Sequence, residues 1–155
     1  MNTLKNILFS LLLLINAVVV GQPVSYTTAN AHSHNDYEQR VPLITAYNEM
    51  FGSIEVDIFW VNGELLVAHK KEELVAHRTL EDLYLKPLQA YVEKNKGYIY
   101  ADTLRRLQFM IDLKTNGDTT LGTLVDLLKK YPVLLFVFKT CGFGRIRKHL
   151  MPNKT

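Results

Sequence analysis

Apolar and polar residues alternate along one stretch of the chain, residues 53–61, which reads SIEVDIFWV. This period of two predicts a β-strand with one aliphatic face and an opposite face that carries Glu55 and Asp57. Two neighbouring carboxylates are costly to bury, so something must compensate them if this strand is central. Asn-Gly at 62–63, followed by ELLVAHK, predicts a tight hairpin and a returning strand.

Helical and strand patterns alternate along the rest of the chain. The predicted elements are a strand ending near His32, a helix over 42–51, the hairpin, a helix over 79–97 kinked at Pro87, a strand over 106–115, a helix over 121–131 capped by Thr119 or Thr120, and a strand over 132–138. This order predicts an α/β fold built on a parallel sheet.

The N-terminus reads MNTLKNILFSLLLLINAVVVGQ, with Lys5 ahead of an apolar run and the small residue Gly21 after it. This layout predicts a signal peptide over residues 1–21, and therefore a secreted or periplasmic protein. The alternative is a membrane anchor, although the run is shorter than the roughly 20 residues of a spanning helix. The single cysteine, Cys141, excludes an internal disulfide.

Charge is unevenly distributed, although the formal net charge is only +3. No acidic residue follows Asp126, so the C-terminal tail is basic and the preceding chain is acidic. The basic residues lack the interleaved aromatic residues of a single-strand binder, so we expect no nucleic-acid partner.

The strand over 106–115 repeats the unusual pattern of the first strand, because Asp112 and Lys114 share one of its faces. Glu55, Asp57 and Asp112 would then converge near the ends of two parallel strands. Three carboxylates at one point predict a hard cation, Mg²⁺ or Ca²⁺, with all-oxygen ligands. The alternatives are a solvent-exposed acidic face and a simple ion pair between Asp112 and Lys114.

Histidines lie next to this acidic cluster in the predicted topology. His32 and His34 stand at a strand-to-loop junction, and His69 ends the hairpin arm. Two imidazoles beside a bound anion suit paired general base and general acid catalysis, with Lys114 neutralising a phosphoryl group. The remaining two histidines are predicted to be structural: His77 and His149.

The motifs AHSHNDY, IEVDIFWVNGELLVAHK, TLEDLYLKPL and IDLKT together resemble the phosphatidylinositol-phospholipase-C-like phosphodiesterase superfamily. The resemblance covers roughly residues 30–131 and is nearest to the glycerophosphodiester-phosphodiesterase-like and sphingomyelinase-D-like members. It implies a (β/α)₈ barrel and metal-dependent cleavage of a phosphodiester. The expected substrate is a small phosphodiester or a lipid head group, with a membrane surface reached through such a lipid.

The same resemblance implies roles for individual residues. Its two catalytic histidines match His32, which we expect to act as the base, and His69, which we expect to act as the acid. The three metal-ligand positions match Glu55, Asp57 and Asp112. Lys114 matches the basic residue after the third ligand and is expected to contact the substrate phosphate. The residue pattern leaves three roles open for His34: contact with the substrate phosphate, orientation of His32, or a structural role.

A complete barrel of this kind needs roughly 250 residues, so the expected architecture is a partial barrel from a truncated chain. Residues 22–131 would form its first half, and residues 132–155 a last strand with an atypical basic tail. The alternative function is a catalytically inactive half-barrel that only binds or self-associates through open strand edges. A carbohydrate-active enzyme ranks lower, because carboxylates two apart on one strand do not flank a scissile bond.

Overall fold

The computed structural model describes residues 27–134, which form a mixed α/β unit around one small sheet. Its strands are β1 (His32–Ser33), β2 (Ser53–Val61), β3 (Glu64–Val67) and β4 (Gln108–Leu113). Its α-helices are α1 (Ile44–Asn48), α2 (Lys86–Lys94) and α3 (Gly117–Leu128). No helix within the described range is long and apolar enough to cross a membrane.

β2 is the central strand of the sheet. It pairs in parallel with β4 from Ser53 to Ile58 along one edge. Its other edge pairs in parallel with β1 at Ser53 and Ile54, and antiparallel with β3 from Ile58 to Val61. The sheet is therefore mixed, and the second edge of β4 has no strand partner among the described residues.

The predicted hairpin is confirmed between β2 and β3. Asn62 and Gly63, its two central residues, both have positive φ, at 51° and 92°. A turn with two such residues matches the right-handed twist of the flanking strands, which explains why Asn-Gly is favoured there.

The aliphatic face of β2 lies in the hydrophobic core, as its alternation predicts. Ile54, Val56 and Ile58 are fully buried, and they join one cluster with Leu80 and Tyr84 ahead of α2. Burial of aliphatic side chains contributes about 1.5–3 kcal/mol each, so this face holds β2 in the middle of the fold. Residues on the opposite face of β2 are thereby directed away from that cluster.

The helix predicted over 42–51 is shorter than expected, because the chain makes a tight turn at Leu43. Leu43 has φ 62° and ψ −51°, and Ile44 N–H donates to the Pro42 carbonyl at 2.7 Å. This is a γ-turn with positive φ, a strained geometry that needs support from elsewhere. α1 therefore begins only at Ile44.

The second predicted helix is present but does not have one uniform geometry. Residues 81–85 form a π-helical turn, and α2 follows with Pro87 as its second residue. The backbone N–H of Asp82 donates to the Thr79 hydroxyl at 3.0 Å, as the capping pattern predicts. Proline is tolerated here because it lies in the first turn of α2.

Two predictions near the end of the described chain were wrong in detail. α3 is capped by Asn116, whose side chain accepts from the N–H groups of Asp118 and Thr119, and the predicted threonine caps lie inside the helix. Residues 132–134 are helical, whereas a strand was predicted over 132–138. The rest of that strand, the basic tail and the predicted signal peptide lie outside the described residues, and the half-barrel stays a prediction.

Gly52 provides a test of how closely the first turn of the described chain packs on β2. A Cβ at this position would lie 1.7 Å from the Ala29 carbonyl oxygen, whereas a Cβ at Gly122 in α3 meets nothing within 4 Å. We expect Gly52→Ala to destabilise the fold by about 1–3 kcal/mol through this clash. Gly122→Ala should be neutral or stabilising by up to about 1 kcal/mol, because alanine favours helix.

Urea unfolding of the two alanine variants and the parent chain measures both effects. Equal midpoints for Gly52→Ala and the parent would contradict the close packing of Ala29 on Gly52.

Candidate functional site

Polar residues gather on the face of the sheet opposite the aliphatic face. His32 pairs with Ser53 across β1 and β2, and Asp57 pairs with Asp112 across β2 and β4. Paired residues point to the same side of a sheet, and so do residues two apart on one strand. Glu55 therefore lies between these two rows, and the structure brings all three predicted carboxylates onto one face.

His32 is held at both ring nitrogens. Its Nε2 lies 3.0 Å from Glu55 Oε2, and its Nδ1 lies 2.9 Å from the Ser53 hydroxyl. Since a carboxylate only accepts, Nε2 carries the proton toward Glu55, and Ser53 completes the second bond. His34 contacts Glu55 from outside at 3.8 Å and is mostly exposed.

His69 is oriented by Asp57 and by the loop that follows β1. Its Nδ1 lies 3.3 Å from Asp57 Oδ2, and 3.4 Å from both the Tyr37 hydroxyl and the Asn35 amide nitrogen. The carboxylate favours a proton on Nδ1, which leaves Nε2 to face outward. That nitrogen makes no hydrogen bond to any described residue, and the side chain is 41% exposed.

Asp57 is the most deeply buried member of the site, with a side chain only 1% exposed. Its Oδ2 accepts from the Tyr37 hydroxyl at 2.8 Å and from Lys114 Nζ at 3.0 Å, in addition to His69. Its Oδ1 is buried without a hydrogen-bond partner in the described part of the chain. One oxygen thus has three neighbours, and the other has an unused acceptor.

Lys114 joins the two strands by bridging their carboxylates. Its Nζ lies 2.7 Å from Asp112 Oδ2 as well as 3.0 Å from Asp57 Oδ2. Partial desolvation alone would lower the pKa of Lys114, but the hydrogen bonds to Asp112 and Asp57 outweigh it and raise that pKa. The lysine is therefore charged, and the ion pair considered as an alternative for Asp112 is present.

The carboxylate oxygens of this face are ligands that suit a hard cation, although Lys114 lies between two of the carboxylates. The unpaired Oδ1 of buried Asp57 is an oxygen that a cation would satisfy. Among the described residues, however, no three His, Cys, Asp or Glu side chains already lie close enough to hold an ion. A divalent ion at Asp57 and Asp112 would therefore compete with the ammonium group of Lys114.

A comparison with family models identifies what kind of domain carries this face. The model described as an AIM6-like phosphodiesterase domain matches residues 24–133. The chain belongs to this family. A phosphodiesterase-like domain is thereby confirmed, whereas membership of the wider phosphatidylinositol-phospholipase-C-like superfamily stays a prediction.

Relatives of this AIM6-like domain are fungal proteins of greater length. Altered inheritance of mitochondria protein 6 homolog from Arthroderma benhamiae is 30% identical over 116 residues, which are 63% of this chain and 37% of that protein. Altered inheritance of mitochondria protein 6 from Lachancea thermotolerans is 33% identical over 130 residues, 71% of this chain and 30% of that protein. The chain thus spans about a third of their length. No solved structure matches it.

The expected localisation was wrong. The names of the relatives from Lachancea thermotolerans, Kluyveromyces lactis and Eremothecium gossypii all refer to the inheritance of mitochondria. This contradicts a secreted or periplasmic protein. The expectation depended on one lysine and an apolar run at the N-terminus, a pattern with little sequence information.

Three residues of the loop after β1 support the AIM6-like site and were not singled out from the sequence: Asn35, Asp36 and Tyr37. Asp36 is fully buried and accepts from the Ser33 hydroxyl at 2.7 Å, the Leu43 N–H at 2.5 Å and the Tyr84 hydroxyl at 3.0 Å. These bonds fix the strained turn at Leu43 and the start of the loop. The motif HNDY held the only available signal, since its Asp and Tyr side chains suit buried hydrogen bonding.

Replacing Asp36 tests whether this buried carboxylate holds the loop. Asp36→Asn keeps the shape but removes one of two accepting oxygens, so at least one buried donor loses its partner. We expect a loss of about 1–3 kcal/mol in the free energy of unfolding, measured by urea denaturation. The exposed neighbour Glu38 gives the matched control Glu38→Gln, which should change stability by less than about 0.5 kcal/mol. Equal stability of the two variants would refute the anchoring role of Asp36.

Proposed function

We propose that this AIM6-like domain cleaves a phosphodiester on the polar face of its sheet. The observation that carries the proposal is the pairing of two imidazoles with neighbouring carboxylates of one strand. His32 contacts Glu55, and His69 contacts Asp57. Glu55 and Asp57 are two residues apart on β2, so their backbone positions are separated by about 7 Å, and both imidazoles are anchored to the same face of the sheet.

The acid role falls to His69. Its Nδ1 is held by Asp57 and its Nε2 faces outward, so the imidazolium form of His69 would donate its Nε2 proton. When the bond between phosphorus and the leaving oxygen breaks, that proton would pass from Nε2 to the leaving alkoxide. Asp57 thereby acts on the substrate through His69.

The base role falls to His32, which would take a proton from the attacking hydroxyl. In the ligand-free geometry Nε2 carries the proton toward Glu55, so the nitrogen that can take a proton is Nδ1. Nδ1 must therefore exchange the Ser53 hydroxyl for the attacking group, while Glu55 stays paired with Nε2. The attacking oxygen belongs to water, or to a neighbouring hydroxyl of the substrate, in which case the product is a cyclic phosphate.

Positive charge is needed where the phosphoryl oxygens would lie. Lys114 supplies one cation, and His34 stands at the open side of the same face. A bound Mg²⁺ or Ca²⁺ ion, held by Glu55, Asp57 and Asp112, would supply the further positive charge that stabilises the phosphoryl group.

The finer architecture belongs to the same proposal. The parallel pairing of β1, β2 and β4 and the polar side chains that these strands share on one face support the first part of a (β/α)₈ barrel of the phosphatidylinositol-phospholipase-C-like type. The chain spans about a third of the length of its relatives. Any activity of a full-length protein is therefore likewise a proposal. A lipid head group is one member of the substrate class that such a face would accept.

The rival function is a binding or self-associating module without activity. The second edge of β4 favours it, since that edge has no strand partner among residues 27–134. An inactive chain that sediments as an oligomer would support the rival, and an active monomer would support the phosphodiesterase.

Histidine variants test the catalytic assignment. His32→Ala and His69→Ala should each lower the rate of hydrolysis of an aryl phosphodiester by about 10²–10⁴-fold, because each removes a proton-transfer group. His77 is exposed, lies outside the site and has φ 68°, which asparagine tolerates. His77→Asn is therefore the matched control and should keep full activity. Activity that survives either alanine substitution would contradict the assignment.

Melting experiments test the cation independently of activity. At a concentration about 100 times its dissociation constant, Mg²⁺ or Ca²⁺ should stabilise the chain by about 2.7 kcal/mol and raise its melting temperature. Asp57→Asn should abolish the rise, whereas Asp118→Asn, outside the polar face, should keep it. Each variant is compared with its own metal-free melting curve. A rise of equal size in Asp57→Asn would exclude this site for the ion.

A further inference from the structure

A cleft of about 360 Å³ opens beside Lys114 at the carboxyl end of β2. Its apolar lining includes Phe59, Val61 and Leu74, and its polar lining includes Lys71. Its volume falls at the lower end of the range of small-molecule sites. None of the described side chains that line it is acidic, in contrast to the neighbouring carboxylate face.

The cleft continues the polar face rather than standing apart from it. Phe59 follows Asp57 by two residues on β2, so both point to the same side of the sheet. Lys114 lines the cleft and also contacts Asp57, so one ammonium group borders both regions. Along the strand, the surface therefore changes from carboxylates and imidazoles, through a lysine, to an apolar wall.

We propose that this cleft binds an apolar group attached to the phosphate, so that the substrate is a phosphodiester with at least one apolar substituent. The inference depends on the proposed function, because it needs the phosphate to lie beside Lys114. With the phosphate there, an apolar ester group directed toward Phe59 and Leu74 would be transferred from water to the apolar surface of the cleft. Lys71 also lines the cleft, and its positive charge attracts the phosphate.

Calorimetric titration with two phosphate monoesters separates the apolar contribution from that of the phosphate. Methyl phosphate and phenyl phosphate share the phosphate group and differ in apolar area. We expect phenyl phosphate to bind the full chain at least about tenfold more tightly, since burial of a ring-sized apolar group is worth that factor or more. Trp60 lines the cleft and is the one tryptophan of the chain, so phenyl phosphate should also change its fluorescence.

Adjacent residues of one loop provide a matched pair of variants. Leu74 lines the cleft, whereas Val75 does not line it and is 54% exposed. Leu74→Asp should weaken phenyl phosphate binding by about tenfold and leave methyl phosphate within about twofold. Val75→Asp should change neither affinity. Because both variants add one carboxylate at neighbouring positions, a general charge effect would appear in both.

The outcomes distinguish this inference from the proposed function. Equal affinities for the two esters, or an unchanged affinity for phenyl phosphate in Leu74→Asp, would overturn the apolar subsite while the phosphodiesterase assignment stands. The expected affinities together with undiminished hydrolysis in His69→Ala would overturn the catalytic assignment and leave the subsite in place.

Discussion

The buried carboxylate of Asp57 is the constraint on which the site depends. It lies on the central strand, with aliphatic neighbours on both sides in sequence and almost no exposure to water. An uncompensated charge in such a place costs several kcal/mol, and removal of one partner from a buried pair costs about 3–5 kcal/mol. Tyr37, His69 and Lys114 offset this cost, and each comes from a different part of the chain. The need to satisfy one carboxylate thus brings the hairpin arm, the loop after β1 and the end of β4 together.

A second buried carboxylate, Asp36, makes this arrangement rigid. Asp36 accepts from the Leu43 N–H and the Tyr84 hydroxyl, and these bonds hold the loop from which the adjacent Tyr37 reaches Asp57. The strained γ-turn at Leu43 is stable for the same reason, since its N–H donates to a buried charge. Strain in a loop next to a site is common where surrounding bonds over-determine the backbone.

Residues with a local period were predictable, and residues whose roles depend on distant partners were not. Alternation alone places Glu55 and Asp57 on one face, and Asn62 with Gly63 defines the hairpin. The burial of Asp36, by contrast, requires a turn seven residues later and a tyrosine 48 residues later, which no local pattern encodes. The prediction of the α3 cap was wrong for a related reason, because Asn116, Thr119 and Thr120 all have side chains that suit capping. Only the three-dimensional path of the chain selects one of them.

The charge balance of the polar face limits how it can receive a phosphodiester. Three carboxylates and one ammonium group leave two negative charges when the histidines are neutral, and the substrate brings a third. A proton on His69 would remove one of these negative charges. Lys114 bridges Asp57 and Asp112, so its movement toward the phosphate would leave these two carboxylates to repel each other. A divalent cation at these carboxylates would release the lysine for the phosphate and bring the charge of these groups from −2 to zero. The unpaired oxygen of Asp57 is the position at which such an exchange would begin.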